Sequence, residues 1–111
     1  MPTSTRPYDS MLSSLLDEEG LPSNDLREFQ TNTTAIYFTI WVALGCCDFC
    51  GINWTYEGEI IDQDFVPKQD TDVYTGYFTA SLNRPEDGFL PGNYSVYSSQ
   101  SIEAIQFVIT P

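Results

Sequence analysis

A chain of 111 residues is about the size of one domain, and with 41% hydrophobic residues, seven Phe, seven Tyr and two Trp it has enough apolar surface to offset chain entropy, so a disordered chain is excluded. Sixteen Asp and Glu stand against four Lys and Arg, a formal net charge of -12. Such a surface repels phosphate backbones and anionic lipid, and the absence of histidine removes every imidazole-dependent triad.

The chain opens with MPTSTRPYDS, which has no cationic region followed by an apolar stretch and so shows no recognisable secretion signal. Residues 1 to 8, with Pro2 and Pro7, read as an extended arm. Asp9 or Ser10 is placed to cap a short helix in which Met11, Leu12, Leu15 and Leu16 recur at helical spacing, ended by Gly20 and Pro22. About three turns of helix are unstable alone, so this segment needs a surface to pack on, either its own domain or a neighbouring subunit. Residues 1–24 are therefore expected to form a docking arm and helix, and residues 25–111 a separate sandwich.

After the polar break SNDLREFQTN the period changes to two. In TTAIYFTIWVAL, Ile36, Phe38, Ile40, Val42 and Leu44 share one face, and Tyr37, Thr39, Trp41 and Ala43 the other, the pattern of a strand that is central or whose second face is covered by the helix or by a partner. This apolar run falls well short of the ~20 residues that span a bilayer, so no transmembrane helix is expected. INWTYEG is the next strand, with Ile52, Trp54 and Tyr56 on one face and a turn at Glu57 and Gly58. EIIDQDFV alternates imperfectly and reads as an edge strand ended by Pro67. VYTGYFTASL places Tyr74, Phe78, Ala80 and Leu82 together, with Gly76 as a candidate bulge. The turn cluster NRPEDGFLPG, the strand NYSVYSSQ and a final strand carrying Ile105, Phe107 and Ile109 complete the chain. Six to seven short strands after one helix close most simply as an all-β, antiparallel two-sheet sandwich.

The strand AIYFTIWVAL, the W-x-Y-x-G of Trp54, Tyr56 and Gly58, then YFTASL, PEDGFLPG, GNYSVY and a closing FVIT follow one another in an order that resembles immunoglobulin-like modules of prokaryotic envelope and surface proteins. Small Ig-like domains of the same design also serve as decoration and fibre components of virus particles. The resemblance covers about two thirds of the chain. It implies an Ig-like sandwich with Trp54 in the core, and a corner formed by Gly92 and Tyr94 where the chain changes sheets. Unlike antibody domains, the chain has no cysteine in its last strands to bridge the sheets.

Cys46, Cys47 and Cys50 fall between the first long strand and the Trp54 strand. The spacing of Cys47 and Cys50 is that of a zinc knuckle or redox pair, but a structural zinc site needs four ligands, so Asp48 or a second chain would have to complete it. The alternatives are a local disulfide, Cys46–Cys50 or Cys47–Cys50, and reduced thiols with no special role. Glu57, Glu59, Asp62, Asp64, Asp70 and Asp72 crowd the middle of the chain with only Lys68 against them. They are candidate calcium ligands or a solvated edge, since the spaced D-x-D-x-D-G loop is missing. Asn32, Asn53 and Asn93 each open a glycosylation acceptor pattern.

These readings converge on a non-enzymatic structural or interaction module that docks on a larger protein assembly, such as a virion, a surface filament or an envelope complex, through Met11, Leu12, Leu15 and Leu16. Its partners are proteins, with a homo-oligomer among the options, and its expected setting is the cell surface or a virus particle. No cofactor is required, with zinc or calcium as the candidates. The alternatives are a metal-binding or redox domain centred on the three cysteines, and a carbohydrate- or ligand-binding module using Trp41 and Tyr97.

Overall fold

The computed structural model describes residues 10–44, 50–65, 74–99 and 104–111. In chain order its strands are β1 (Ser10–Ser13), β2 (Glu28–Gln30), β3 (Ala35–Leu44), β4 (Gly51–Tyr56), β5 (Glu59–Phe65), β6 (Tyr74–Asn83), β7 (Gly92–Ser98) and β8 (Ile105–Thr110). No helix occurs among the described residues. The strands form two sheets, one of order β1-β3-β6 and one of order β2-β8-β7-β4-β5, so the all-β, two-sheet architecture expected from the alternation is present.

The alternation in β3 sets the packing. Ile36, Phe38, Ile40 and Val42 are each at most 3% exposed and face the second sheet, which contributes Ile52 and Trp54 from β4, Val96 from β7, and Phe107 and Ile109 from β8. Trp54 is fully buried, as expected, and meets Phe38 and Phe107 edge-on, with ring centroids 6.4 and 6.3 Å apart. Edge-to-face pairs of this kind add about 0.5–1.5 kcal/mol each beyond the area they bury.

Two turns need their glycines. Glu57 and Gly58, with φ of 50° and 90°, form a two-residue hairpin between Tyr56 and Glu59, whose paired positive φ matches the strand twist. Gly92 has φ of 149°, and a Cβ there would come within 2.8 Å of the Tyr56 ring and of the Glu57 carboxylate. Two residues on, the Tyr94 hydroxyl donates to the Leu90 carbonyl at 2.6 Å and pins the β6–β7 connection to β7.

Four expectations require correction. The helix over Met11–Leu16 is replaced by β1, which pairs antiparallel with β3 from Ser10↔Ile40 to Ser13↔Tyr37 and places Leu12 in the core at 0% exposure. A sheet edge satisfies the backbone of four residues at once, whereas an isolated short helix lacks the length to hold itself. The polar break contains β2, whose Phe29 is buried and packs edge-on against Phe107 with centroids 5.6 Å apart. β2 runs parallel to β8, so the sandwich is not wholly antiparallel. The bulge lies on β5 and not at Gly76: β6 pairs with β3 in unbroken register, whereas the register of β5 slips where Trp54 faces Asp62 and Thr55 faces Ile60. That slip explains why EIIDQDFV alternates imperfectly.

Residues 14–26 fold back on β1. Leu26 N–H donates to the Leu12 carbonyl at 2.8 Å, Leu12 N–H to Asp25 Oδ1 and Ser14 N–H to Asn24 Oδ1, while Asp17 Oδ1 accepts from the amides of Glu19 and Leu21 to hold the turn. Residues 10–13 are thus bonded on both edges into the sandwich, and the expected division between residues 24 and 25 cuts through a hydrogen-bonded unit.

Candidate functional site

Of the three cysteines, Cys46 and Cys47 lie outside the described residues, and Cys50 enters β4 as a free thiol, 2% exposed, within the core cluster. Burial pushes its thiol above the usual 9.0, against hydrogen bonds with Ser98 and Ser99 that act in the opposite direction. The thiolate, which is the nucleophile and the metal ligand, is therefore disfavoured at this position. Cys50 is expected to resist iodoacetamide in the native protein at neutral pH and to react fully after unfolding, as read by mass mapping of the residue 50 peptide. Prompt native labelling would contradict its place in the core.

Asp70 and Asp72 also lie outside the described residues. Glu57, Glu59, Asp62 and Asp64 are spread along the β4–β5 hairpin, and among the described residues no group of three or more Cys, Asp or Glu could hold a metal ion. Each carboxylate has a separate setting. Glu57 Oε2 accepts from the Asn93 amide at 2.7 Å and ties the hairpin turn to the start of β7. Asp62 and Asp64 sit opposite Trp54 and Ile52 and so share the core-facing side of an outermost strand. Inward carboxylates on an outer strand deter indiscriminate pairing with other sheets.

Asp64 is half-buried beside the Trp54 indole. Its Oδ2 and the Trp54 indole Nε1 are both buried without a hydrogen-bond partner of normal geometry. Burial raises its carboxyl above the usual 3.8, the nearby indole N–H lowers it in part, and the Asp62 charge raises it again. A raised carboxyl favours the protonated folded state, so the stability it confers is present below 3.8 and is lost as pH rises through the folded value. Asp64→Asn is therefore expected to be more stable than the native chain at neutral pH, with the difference vanishing under acid conditions below 3.8. Urea unfolding at the two pH values checks this, and an Asn variant that is less stable at neutral pH would overturn it.

The segment expected to dock is divided by the structure. Leu12 is part of the core, Met11 and Leu16 are half-buried, and Leu15 is 62% exposed in the fold-back. The aromatics considered for ligand binding do not form one platform. Trp41 meets Tyr77 edge-on at 5.0 Å on the outer face of the three-stranded sheet, while Tyr97 lies on the outer face of the other sheet, opposite Asn53. Asn32 and Asn93 are exposed, whereas Asn53 is half-buried and accepts from the Gln63 side chain at 2.7 Å.

What the structure does assemble is a groove of about 320 Å³ between β5 and the β6–β7 connection. Buried Leu82, Phe89 and Tyr94 floor it, while Ile61, Asp62 and Leu90 rim it. Adjacent residues of a regular strand point to opposite faces, and the β5 bulge is what lets Ile61 and Asp62 both reach the groove. Ile61 and Leu90 are 47% and 62% exposed, and Ile60, just before the bulge, is 53% exposed. Sequence reasoning missed Phe89 and Leu90 because they fall inside a cluster of turn residues. An adjacent apolar pair within PEDGFLPG was the available signal.

Comparison of the chain with protein-family models, with curated proteins and with solved structures finds no match. No helix among the described residues is long and apolar enough to cross a membrane.

Proposed function

We propose that this chain is a non-enzymatic interaction module on an immunoglobulin-like sandwich, which docks on a larger protein assembly such as a virus particle, a surface filament or an envelope complex. Three features support the Ig-like reading. The strand order β1-β3-β6 against β2-β8-β7-β4-β5 parallels the division of Ig domains into two sheets, with an interior strand of one sheet carrying a core tryptophan. Trp54 occupies that place on β4. The Tyr94 hydroxyl bonded to the Leu90 carbonyl four residues upstream has the form of a tyrosine corner.

The observation that carries the docking role is the exposed apolar rim of Ile61 and Leu90 around a groove with a buried apolar floor. Single exposed apolar residues are ordinary, whereas two that face each other across a concavity with an apolar floor mark a contact surface. The docking surface is accordingly assigned to the β5 side of the sandwich, because Leu12 is committed to the core. The test is a double variant, Ile61→Ser with Leu90→Ser, compared with the native chain by size-exclusion chromatography of extracts from its own source. The native chain is expected in a large complex and the folded variant as free protein. Identical elution of the two in the same complex would refute the assignment.

A further inference from the structure

The partner's chemistry follows from the charge around this groove. The β4–β5 hairpin, residues 51 to 65, carries Glu57, Glu59, Asp62 and Asp64 and no Lys or Arg. The two described arginines are engaged elsewhere, Arg27 with Asp25 and Arg84 with the Asn32 carbonyl. At the groove itself Asp62 stands beside Ile61, with the rings of Tyr56, Phe89 and Tyr94 among the walls. A carboxylate at the mouth of an aromatic, apolar recess suits one side chain above others, a lysine or arginine whose methylene stem lies along the apolar wall while its head reaches the carboxylate. Among the described residues β5 is also the outermost strand of its sheet, in the position at which an extended segment can add as a further strand.

Resting on the interaction-module reading above, we propose that β5 and its groove receive an extended basic segment of a partner protein, which adds alongside β5 and inserts one Lys or Arg between Asp62 and the Tyr56–Phe89 wall. Charge selects this occupant over a second copy of the chain. Two copies meeting at β5 would bring eight hairpin carboxylates together within chains of net charge -12, whereas a basic strand neutralises them. Inward acids and a bulge thus repel most strands and leave one charge class admissible.

The experiment titrates the ¹⁵N-labelled full chain with a decapeptide alternating Lys and Val, and in parallel with the same peptide carrying Glu for Lys. The Lys peptide is expected to shift the amides of residues 59–65 and of Leu90, to slow amide exchange in β5, and to weaken about tenfold or more when salt is raised from low to high concentration. Asp62→Asn is expected to weaken binding about threefold, the size of one exposed charge pair, while Glu86→Gln, a carboxylate exposed outside this groove, leaves it unchanged. Equal binding of both peptides at β5 would overturn the basic partner while leaving the β5 docking surface standing. Shifts from the Lys peptide confined to other strands, no binding of that peptide, or an Asp62→Asn affinity equal to the native one would each overturn the proposal. A dimer formed through β5 would do the same. The docking surface falls separately, if the Ile61→Ser, Leu90→Ser chain remains in its native complex.

Discussion

Leu12→Ala is expected to lower the unfolding free energy by about 2–5 kcal/mol, the cost of emptying a fully buried leucine site, with urea unfolding as the measurement. Leu15→Ala, three residues on and 62% exposed, is expected to stay within about 0.5 kcal/mol. The contrast separates two readings of the same apolar quartet. On a docking helix, both leucines would be dispensable for folding and needed for assembly. In the sandwich, Leu12 sits opposite Phe38 in the β1–β3 ladder and its carbonyl closes the fold-back through Leu26. Deletion of residues 1–24 would remove that ladder and uncover the β3 edge, so the truncated chain is expected to lose its cooperative transition and not to fold as an independent domain. A Leu12→Ala chain as stable as the native one would show that β1 contributes nothing to the fold.

The second large effect centres on Trp54. Trp54→Ala is expected to cost about 3–5 kcal/mol, a large part of the ~5–15 kcal/mol that holds a domain of this size together. The indole is fully buried, and it joins Phe38 of one sheet to Phe107 of the other. Trp54→Phe is expected to cost far less, about 1–2 kcal/mol, for two reasons. A benzyl ring retains most of the edge-on packing, and the change removes a buried N–H that has no partner of normal geometry. Thermal unfolding of the two variants side by side measures the difference. Equal losses in both would mean that the indole N–H, and not ring packing, holds the site together.

These two sites bear on the groove as well. Trp54 faces Asp62 across the β4–β5 ladder, immediately before the slip that brings Ile61 to the rim. The groove is thus a consequence of how an outer strand accommodates a large core ring and its acidic neighbours. Asp64 contributes to the same arrangement, held partly buried beside the indole at an electrostatic cost that Asp64→Asn is expected to relieve.

Much of the sandwich was legible from alternation. β3, β4, β6, β7 and β8 fall where the period-two runs place them, Trp54 is buried, and the imperfect run at 59–65 is an outer strand. Two elements were not legible. The spacing of Met11, Leu12, Leu15 and Leu16 suits a helix, yet the open edge of β3 outcompetes local propensity, because four residues there gain a whole ladder of partners. β2 has three residues and one buried side chain, too few to show any period.

Of the candidate sites, the sequence alone could count the acids and the cysteines but could not group them. Residues 57 to 64 are close in the chain, and yet pleating and a bulge send Glu57 to the turn, Asp64 to the indole and Asp62 to the groove. Composition and periodicity determined by themselves that this acidic chain folds as stacked sheets around Trp54, because apolar burial at every second position admits little else. Only the tertiary structure decided that Leu12 is core, that Phe89 and Leu90 leave their turn to build a groove, and that Ile61 meets them there. Those placements depend on strand register and on which edges find partners, and both are properties of the assembled sheets.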